Sequence, residues 1–224
     1  MVDAHVVLFA NGVADVAASP DGSHVDAVGR QDSSLLIFDR DAASGVLTFN
    51  SRLQQGAPGI DGIDFPNSVE VSADNRFVYT ISENQRAVGV FSRDAASGDL
   101  TFVQILIDVP NLGVARNLVI SPDQRQIYTG SGQRLTVLDR DPGSGQVAFS
   151  QLIFRQNGST GFSRHVTVTS DGTQLLASGD GQVMIFDRAS ATGELTFDRV
   201  ITSTEAPGLT ASSTEAAAAG RSVS

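Results

Sequence analysis

The sequence predicts an all-β chain built from four copies of one four-stranded antiparallel unit, and three observations carry that prediction. A turn-like tetrapeptide recurs as SPDG at 19–22, SADN at 72–75, SPDQ at 121–124 and TSDG at 169–172. A second punctuation mark, RDAASG at 40–45 and again at 93–98, returns as DRDPGSG ending at Gly145 and DRASATG ending at Gly193. Both run at one period: Asp21, Asp74, Asp123 and Asp171 are 53, 49 and 48 residues apart, and Gly45, Gly98, Gly145 and Gly193 are 53, 47 and 48 apart. A period held by two different turns marks one structural unit used repeatedly.

Each unit runs apolar stretch, SPDG-type turn, apolar stretch, variable loop, apolar stretch, DxxSG hinge, then an ending of the Leu-Thr-Phe type. In the second unit this places strands at 69–71, 77–81, 87–91 and 100–105. The third strands, such as Leu35-Leu36-Ile37-Phe38 and Val183-Met184-Ile185-Phe186, are apolar without alternation, so both their faces should be buried. The fourth strands alternate instead: Leu47/Phe49, Leu100/Phe102, Val147/Phe149 and Leu195/Phe197 flank Thr48, Thr101, Ala148 and Thr196, which predicts one buried face. In the hinge, Asp41 and Asp94 should accept backbone donors while Gly45 and Gly98 take a positive φ. No stretch outside the C-terminal tail has a helical period.

Strands buried on both faces, beside a half-exposed outer strand, are what blades need when they stack face to face around a channel. A sandwich would not explain the fixed period. The expected fold is therefore a β-propeller of four-stranded antiparallel blades, four of them visible, closing tightly, belonging to a seven-bladed or larger ring or array, or pairing with another copy. Blades are expected at 12–66, 67–113, 114–163 and 164–202. Residues 1–11, with apolar 5–9, read as the outer strand of a preceding or closing blade. Residues 203–224, poor in bulky side chains, read as a disordered tail or linker.

Composition narrows the function. The net charge is −10, the 15 basic residues are all Arg, and 20 of the 25 acidic residues are Asp, mostly beside turn residues. Nucleic-acid partners are disfavoured, because phosphate neutralisation needs a basic stripe. The absence of cysteine removes thiolate chemistry and Cys-ligated zinc. No apolar run is long enough to span a membrane, and no signal peptide is recognisable at the N-terminus. No cofactor and no metal are expected. The aspartates Asp39 and Asp41 read as turn residues, since the other units hold Ser92 and Ala189 at those places. His5 and His24 have no partner at a ligating sequence spacing. Asp26 stands where units two and three carry Tyr79 and Tyr128, as drift or as a channel contact.

The stretch VEVSADNRFVYTISENQRAVGVFSRDAASGDLTFVQ resembles the repeat of lactonase-type β-propeller proteins, the group that includes 6-phosphogluconolactonase-like enzymes and many exported bacterial repeat proteins. The linker APGIDGIDFPNS resembles the segment between such repeats. The resemblance covers residues 12 to about 202 and rests on SPDG, Tyr79 and Tyr128, and the DxxSGxLTF ending, recurring in order. WD-repeat propellers are disfavoured, as the chain has no Trp.

Strand direction puts the entry into each first strand and the second-to-third loop on one rim, with SPDG and DxxSG on the other. The first rim collects the residues that differ between units: Ala14, Asn67, Arg116 and Arg164, seven places before each motif Asp, followed by Asp15, Ser68, Asn117 and His165. The loops add Arg30, Glu83 and Asp180. The resemblance assigns catalysis to Arg164, His165 and Glu83, with Arg anchoring an anion and His or Glu activating water against a lactone carbonyl. Arg116, Asn117, Asn67, Arg30 and Asp180 are candidate ligand contacts. The elements are split between units, however. The favoured reading is a binding or structural scaffold module with a small-molecule or protein ligand at the channel rim, and open blade edges that invite self-association. The alternative is a lactone hydrolase similar to 6-phosphogluconolactonase. The scaffold reading goes with an extracellular or periplasmic protein, the lactonase reading with a cytoplasmic one.

Overall fold

The computed structural model of the chain describes residues 11–154, 165–179, 181–202 and 205. These form sixteen strands. The first blade holds β1 (Val13–Ala18), β2 (His24–Gly29), β3 (Ser34–Arg40) and β4 (Leu47–Gln54). The second holds β5 (Pro66–Val71), β6 (Phe77–Ser82), β7 (Ala87–Arg93) and β8 (Leu100–Ile107). The third holds β9 (Leu118–Ile120), β10 (Gln126–Ser131), β11 (Arg134–Arg140) and β12 (Val147–Phe154). The fourth holds β13 (His165–Val168), β14 (Gln174–Gly179), β15 (Gln182–Arg188) and β16 (Leu195–Thr202). Each blade is one antiparallel sheet whose strands lie in chain order. The expected N-terminal strand at 5–9 and the tail from 206 lie outside the described residues.

One element was not expected: α1 (Val109–Leu112), a single helical turn that carries the chain from β8 towards β9. Four residues leave no room for a helical period in the sequence, so nothing there announces it.

The turn chemistry follows the expectation. Asp21 Oδ1 accepts from Ser19 Oγ at 2.6 Å and from Ser23 N at 3.0 Å. The Ser19 hydroxyl, then the Ser23 amide, hold this carboxyl down at about 2. In the hinge, Asp41 Oδ1 accepts from Ser44 N at 2.7 Å, and Asp94 Oδ1 from Ala96 N at 2.9 Å and Ser97 N at 3.0 Å. Gly45 and Gly98 sit at φ +73 and +76. Three of the third-to-fourth strand pairs carry a bulge at the same place, before Phe38, Phe91 and Phe186. Each of these rings meets the Phe of the outer strand edge to face, Phe49, Phe102 and Phe197, at 5.7–6.0 Å between centroids.

The chain divides into two compact units. Unit 1, Met1–Pro110 with Asp141–Val147, has its core in Val28, Leu35, Ile37, Ile63, Val69, Val78, Phe91 and Leu100, where the second blade packs on the first. Unit 2, Asn111–Arg140 with Ala148–Ser224, repeats this with Tyr128, Leu135, Val137, Val166, Met184, Phe186 and Leu195.

The hinge glycine also docks blades. A Cβ on Gly98 would run into His24, one on Gly145 into Phe77 and one on Gly193 into Gln126, in each case the first residue of a second strand. Tyr79 Oη donates to Gly145 O, and Tyr128 Oη to Gly193 O, both at 2.9 Å. Arg188 adds four donations in unit 2: Nε to Tyr128 Oη at 2.6 Å, Nη1 to Gly172 O at 3.0 Å, and Nη2 to Asp123 Oδ2 and Gln126 Oε1 at 2.6 Å each. The first-to-second blade contact does the same work differently. Asn75 Nδ2 donates to Asp21 Oδ2 at 2.9 Å, and Asp26 forms an ion pair with Arg93 in which both side chains are fully buried. Asp26 is therefore a blade-to-blade contact.

Candidate functional site

Unit 1 gathers three of the candidate residues at one end of its two sheets. Arg30 directly follows β2, Glu83 directly follows β6, and Asn67 is the second residue of β5. Arg30 Nη2 donates to Glu83 Oε2 at 2.5 Å, and Asn67 Nδ2 donates to the same oxygen at 3.0 Å. The Arg30 guanidinium carbon stands 4.3 Å from the centroid of the Phe65 ring. Both members of the ion pair remain partly open to solvent.

The segment before β5 builds this arrangement. Phe65 is held at φ +58, a conformation a bulky residue adopts only when its surroundings impose it. They do: Phe65 N donates to Ser33 Oγ at 3.0 Å, Glu83 N donates to Phe65 O at 3.1 Å, and Ser82 Oγ donates to Asp64 O at 2.5 Å. The neighbouring Asp64 carboxylate accepts from Ser33 Oγ at 3.2 Å and Asn84 Nδ2 at 3.1 Å. Both blades thus pin the loop that presents the ring to Arg30.

Beneath the cluster, Asp15 ties the two inner strands together. Its Oδ2 accepts from Ser68 Oγ at 2.7 Å and Val69 N at 3.1 Å, and its Oδ1 from Val16 N at 2.9 Å. Glu70, in β5, is pushed up to about 7, first by burial and then by the charge on Asp15.

In unit 2 the corresponding place is used for support. Asn117 donates from Nδ2 to Val166 O and accepts at Oδ1 from Val166 N, each at 3.0 Å, so its amide clasps the backbone of β13. It does for its unit what Asp15 does for the first. Arg116 and His165 are exposed, His165 as the first residue of β13. Arg164 and Asp180 lie outside the described residues. A shallow cavity of about 310 Å³ in unit 2 is lined by Val114, Ser131, Gly132, Gln133, Arg134 and Phe154, none of them a sequence candidate.

No group of three or more potential metal ligands exists among the described residues. The His24 reading changes in one respect. Cross-strand register pairs His24 with Asp39 and brings Nε2 to 3.6 Å from Asp39 Oδ1, a neighbour that sequence spacing alone did not suggest. Among the described residues, no helix is long and apolar enough to cross a membrane.

Sequence reasoning missed Phe65 and Asp64. No sequence signal announced them: Phe65 directly precedes Pro66, a place that favours extended backbone, and its φ of +58 runs against that preference.

Residues 3–116 match the family model described as lactonase, 7-bladed beta-propeller. No curated protein sequence matches the chain. Among solved structures the chain is similar to a candidate 6-phosphogluconolactonase from Bacteroides uniformis, at 21% identity and a TM-score of 0.72, over 85% of this chain and 55% of that one. It is similar to a second such protein from Bacteroides fragilis at 20% identity and a TM-score of 0.69, over 84% and 54%. The periplasmic gluconolactonase of Pseudomonas aeruginosa aligns at 19% identity and a TM-score of 0.65, over 84% and 57%. The chain spans about half the length of these structures.

Proposed function

Because the chain belongs to the lactonase, 7-bladed beta-propeller family, we propose that it hydrolyses a sugar lactone and that the Arg30–Asn67–Glu83 cluster of unit 1 takes part. The observation that carries the site is the Glu83 carboxylate, held by two donors from two different blades while Arg30 lies against a ring. Glu83 accepts a proton from a water molecule as that water attacks the lactone carbonyl. Arg30 offers donors to the oxyanion, or to an anionic substituent of the sugar. Collapse of the tetrahedral intermediate breaks the ring C–O bond, and the proton returns from Glu83 to the leaving alkoxide, giving the open hydroxy acid. The family match and the similarity to lactonase structures support a hydrolase over a scaffold. Arg164 and His165 keep, as part of the proposal, the anchoring and water-activating roles that their resemblance implies.

A non-catalytic binding module remains the second reading, favoured by one feature: Glu83 Oε2 already accepts from both Arg30 and Asn67, which is also how a structural clamp is built. Acid release from glucono-δ-lactone and its 6-phosphate, followed against the buffer rate, separates the two. The hydrolase reading expects turnover, with a loss of about 10²-fold or more in kcat for Glu83→Gln. A comparable loss in the double variant Arg164→Ala, His165→Ala, with Glu83→Gln unaffected, would move the chemistry to the fourth blade. No turnover above buffer on either lactone would leave the binding module.

A further inference from the structure

The end of β2 away from Arg30 carries a second set of chemically active side chains, which the Glu83 cluster does not use. Ser23 directly precedes β2, His24 is its first residue, and Asp39 lies opposite His24 in β3. Ser23 Oγ and His24 Nδ1 are 2.8 Å apart, and His24 Nε2 is 3.6 Å from Asp39 Oδ1. A hydroxyl, an imidazole and a carboxylate thus follow one another, with the imidazole between the other two. The turn itself does not require them. The place of Ser23 is taken in the other blades by Arg76, Arg125 and Thr173, that of His24 by Phe77, Gln126 and Gln174, and that of Asp39 by Ser92, Asp139 and Asp187. Of the four blades, the first alone combines all three.

The imidazole is held in place. His24 N donates to Ser19 Oγ at 2.9 Å, and the ring lies against Gly98 of the second blade's hinge, where a Cβ would fall 2.6 Å from Cδ2 and 2.8 Å from Nε2. His24 is buried while Ser23 beside it is half-buried, so the hydroxyl is the group that a ligand meets first. Asn50 orients Asp39: its Nδ2 donates to Asp39 Oδ1 at 2.7 Å and to Ser97 O at 2.9 Å. A carboxylate on the Nε2 side favours the tautomer protonated there, which leaves the Nδ1 lone pair to the Ser23 hydroxyl. Ser23 Oγ also faces Asp21 Oδ1 at 2.8 Å, but that carboxyl is held down at about 2 and is a far weaker base than an imidazole.

We propose that Ser23 is a nucleophile that takes the acyl group of a carboxylic ester, with His24 as its base and Asp39 as the residue that positions His24. Oγ attacks the ester carbonyl carbon as its proton passes to His24 Nδ1. The tetrahedral intermediate collapses by breaking the C–O bond to the alcohol, and the proton moves from Nδ1 to the leaving oxygen. Water then attacks the acyl-serine and gives a proton to Nδ1; collapse returns that proton to Ser23 Oγ and releases the carboxylic acid. The activity goes beyond the lactonase reading and does not rest on it. Hydrolysis at Glu83 forms no covalent intermediate, whereas this route leaves the acyl group on Ser23.

The chain contains neither cysteine nor lysine, so few other side chains compete for an acylating probe. The parent is treated with p-nitrophenyl acetate and, separately, with a fluorophosphonate, and the adduct is followed by intact mass and located by peptide mapping. The expected result is one adduct per chain, on Ser23, and none in Ser23→Ala. His24→Gln should slow adduct formation by about 10²-fold or more. Gln126 fills the same place in the third blade, so this change leaves the blade contact standing. Asp39→Ser, matching Ser92 of the second blade, should also slow the reaction, and Asp39→Glu should restore most of the parent rate. No adduct, an adduct elsewhere than Ser23, or equal rates in His24→Gln and the parent would each overturn the proposal. An Asp39→Glu chain no faster than Asp39→Ser would overturn the positioning role.

Discussion

Glu70 and Asp26 are two carboxyls that the fold holds against their ordinary behaviour. Burial and Asp15 push Glu70 from its usual 4.5 to about 7, so the folded state favours the protonated form more than the unfolded chain does. The contribution is therefore full below about pH 4.5 and is lost as the pH rises through about 7. Glu70→Gln keeps the neutral form at every pH. Its stability relative to the parent, followed by thermal melting across pH, should match the parent at pH 4 and exceed it by on the order of 2 kcal/mol above pH 8, after allowance for screening of a partly open group. A difference independent of pH would remove the titration as its cause. Asp26 is pushed up by burial, with Arg93 opposing, and its Oδ1 finds no partner among the described residues. Such a pair is a costly substitute for the Tyr–glycine contact, yet breaking one side costs more than the pair provides. Asp26→Ala should lower stability by about 3–5 kcal/mol, because the Arg93 guanidinium is then left buried and alone. Urea unfolding of unit 1 measures it.

At the scale of the element, the hinge RDAASG shows how far the sequence could be read. Its turn role was legible, since Asp and Gly at fixed places in a repeated stretch have few other uses. Its docking role was not. The contact joins residues more than sixty positions apart, such as Tyr79 and Gly145, and no local pattern encodes a partner that far away. The two roles separate experimentally, because Gly45 has the turn without the neighbour and Gly145 has both. Gly45→Ala should cost about 1–2 kcal/mol, the strain of a side chain at positive φ. Gly145→Ala adds overlap with the Phe77 ring and should cost about 1–3 kcal/mol more. Equal losses in the two variants, read by denaturant midpoints, would mean that the ring swings aside freely. The bulges before Phe38, Phe91 and Phe186 were likewise illegible: a bulge displaces one residue in the pairing and leaves the apolar run unchanged.

At the scale of the whole molecule, the period and the turn chemistry made the blade readable strand by strand, because four copies of one unit correct one another. Strand direction alone put Arg30, Asn67 and Glu83 on one rim, among residues of all four blades, but it did not single these three out, and the family resemblance set Glu83 beside Arg164 and His165 instead. The Phe65 ring beneath Arg30 could not be read in advance, since it depends on a loop pinned by Ser33 and Ser82. Charge is the remaining property that belongs to the chain as a whole. A net charge of −10 repels an anionic substrate before any local contact is made, while Arg30 attracts it at short range. Repulsion between exposed charges is screened over about 10 Å at 0.1 M salt, and a contact ion pair in a partly desolvated site is screened much less. If the chain hydrolyses both lactones, the ratio of kcat/KM for the 6-phosphate to that for the uncharged glucono-δ-lactone should rise as salt is added. Initial rates from about 0.01 to 0.3 M salt give that ratio directly. A ratio that falls instead would mean that local guanidinium groups, and not the acidic surface, govern the approach of the phosphate.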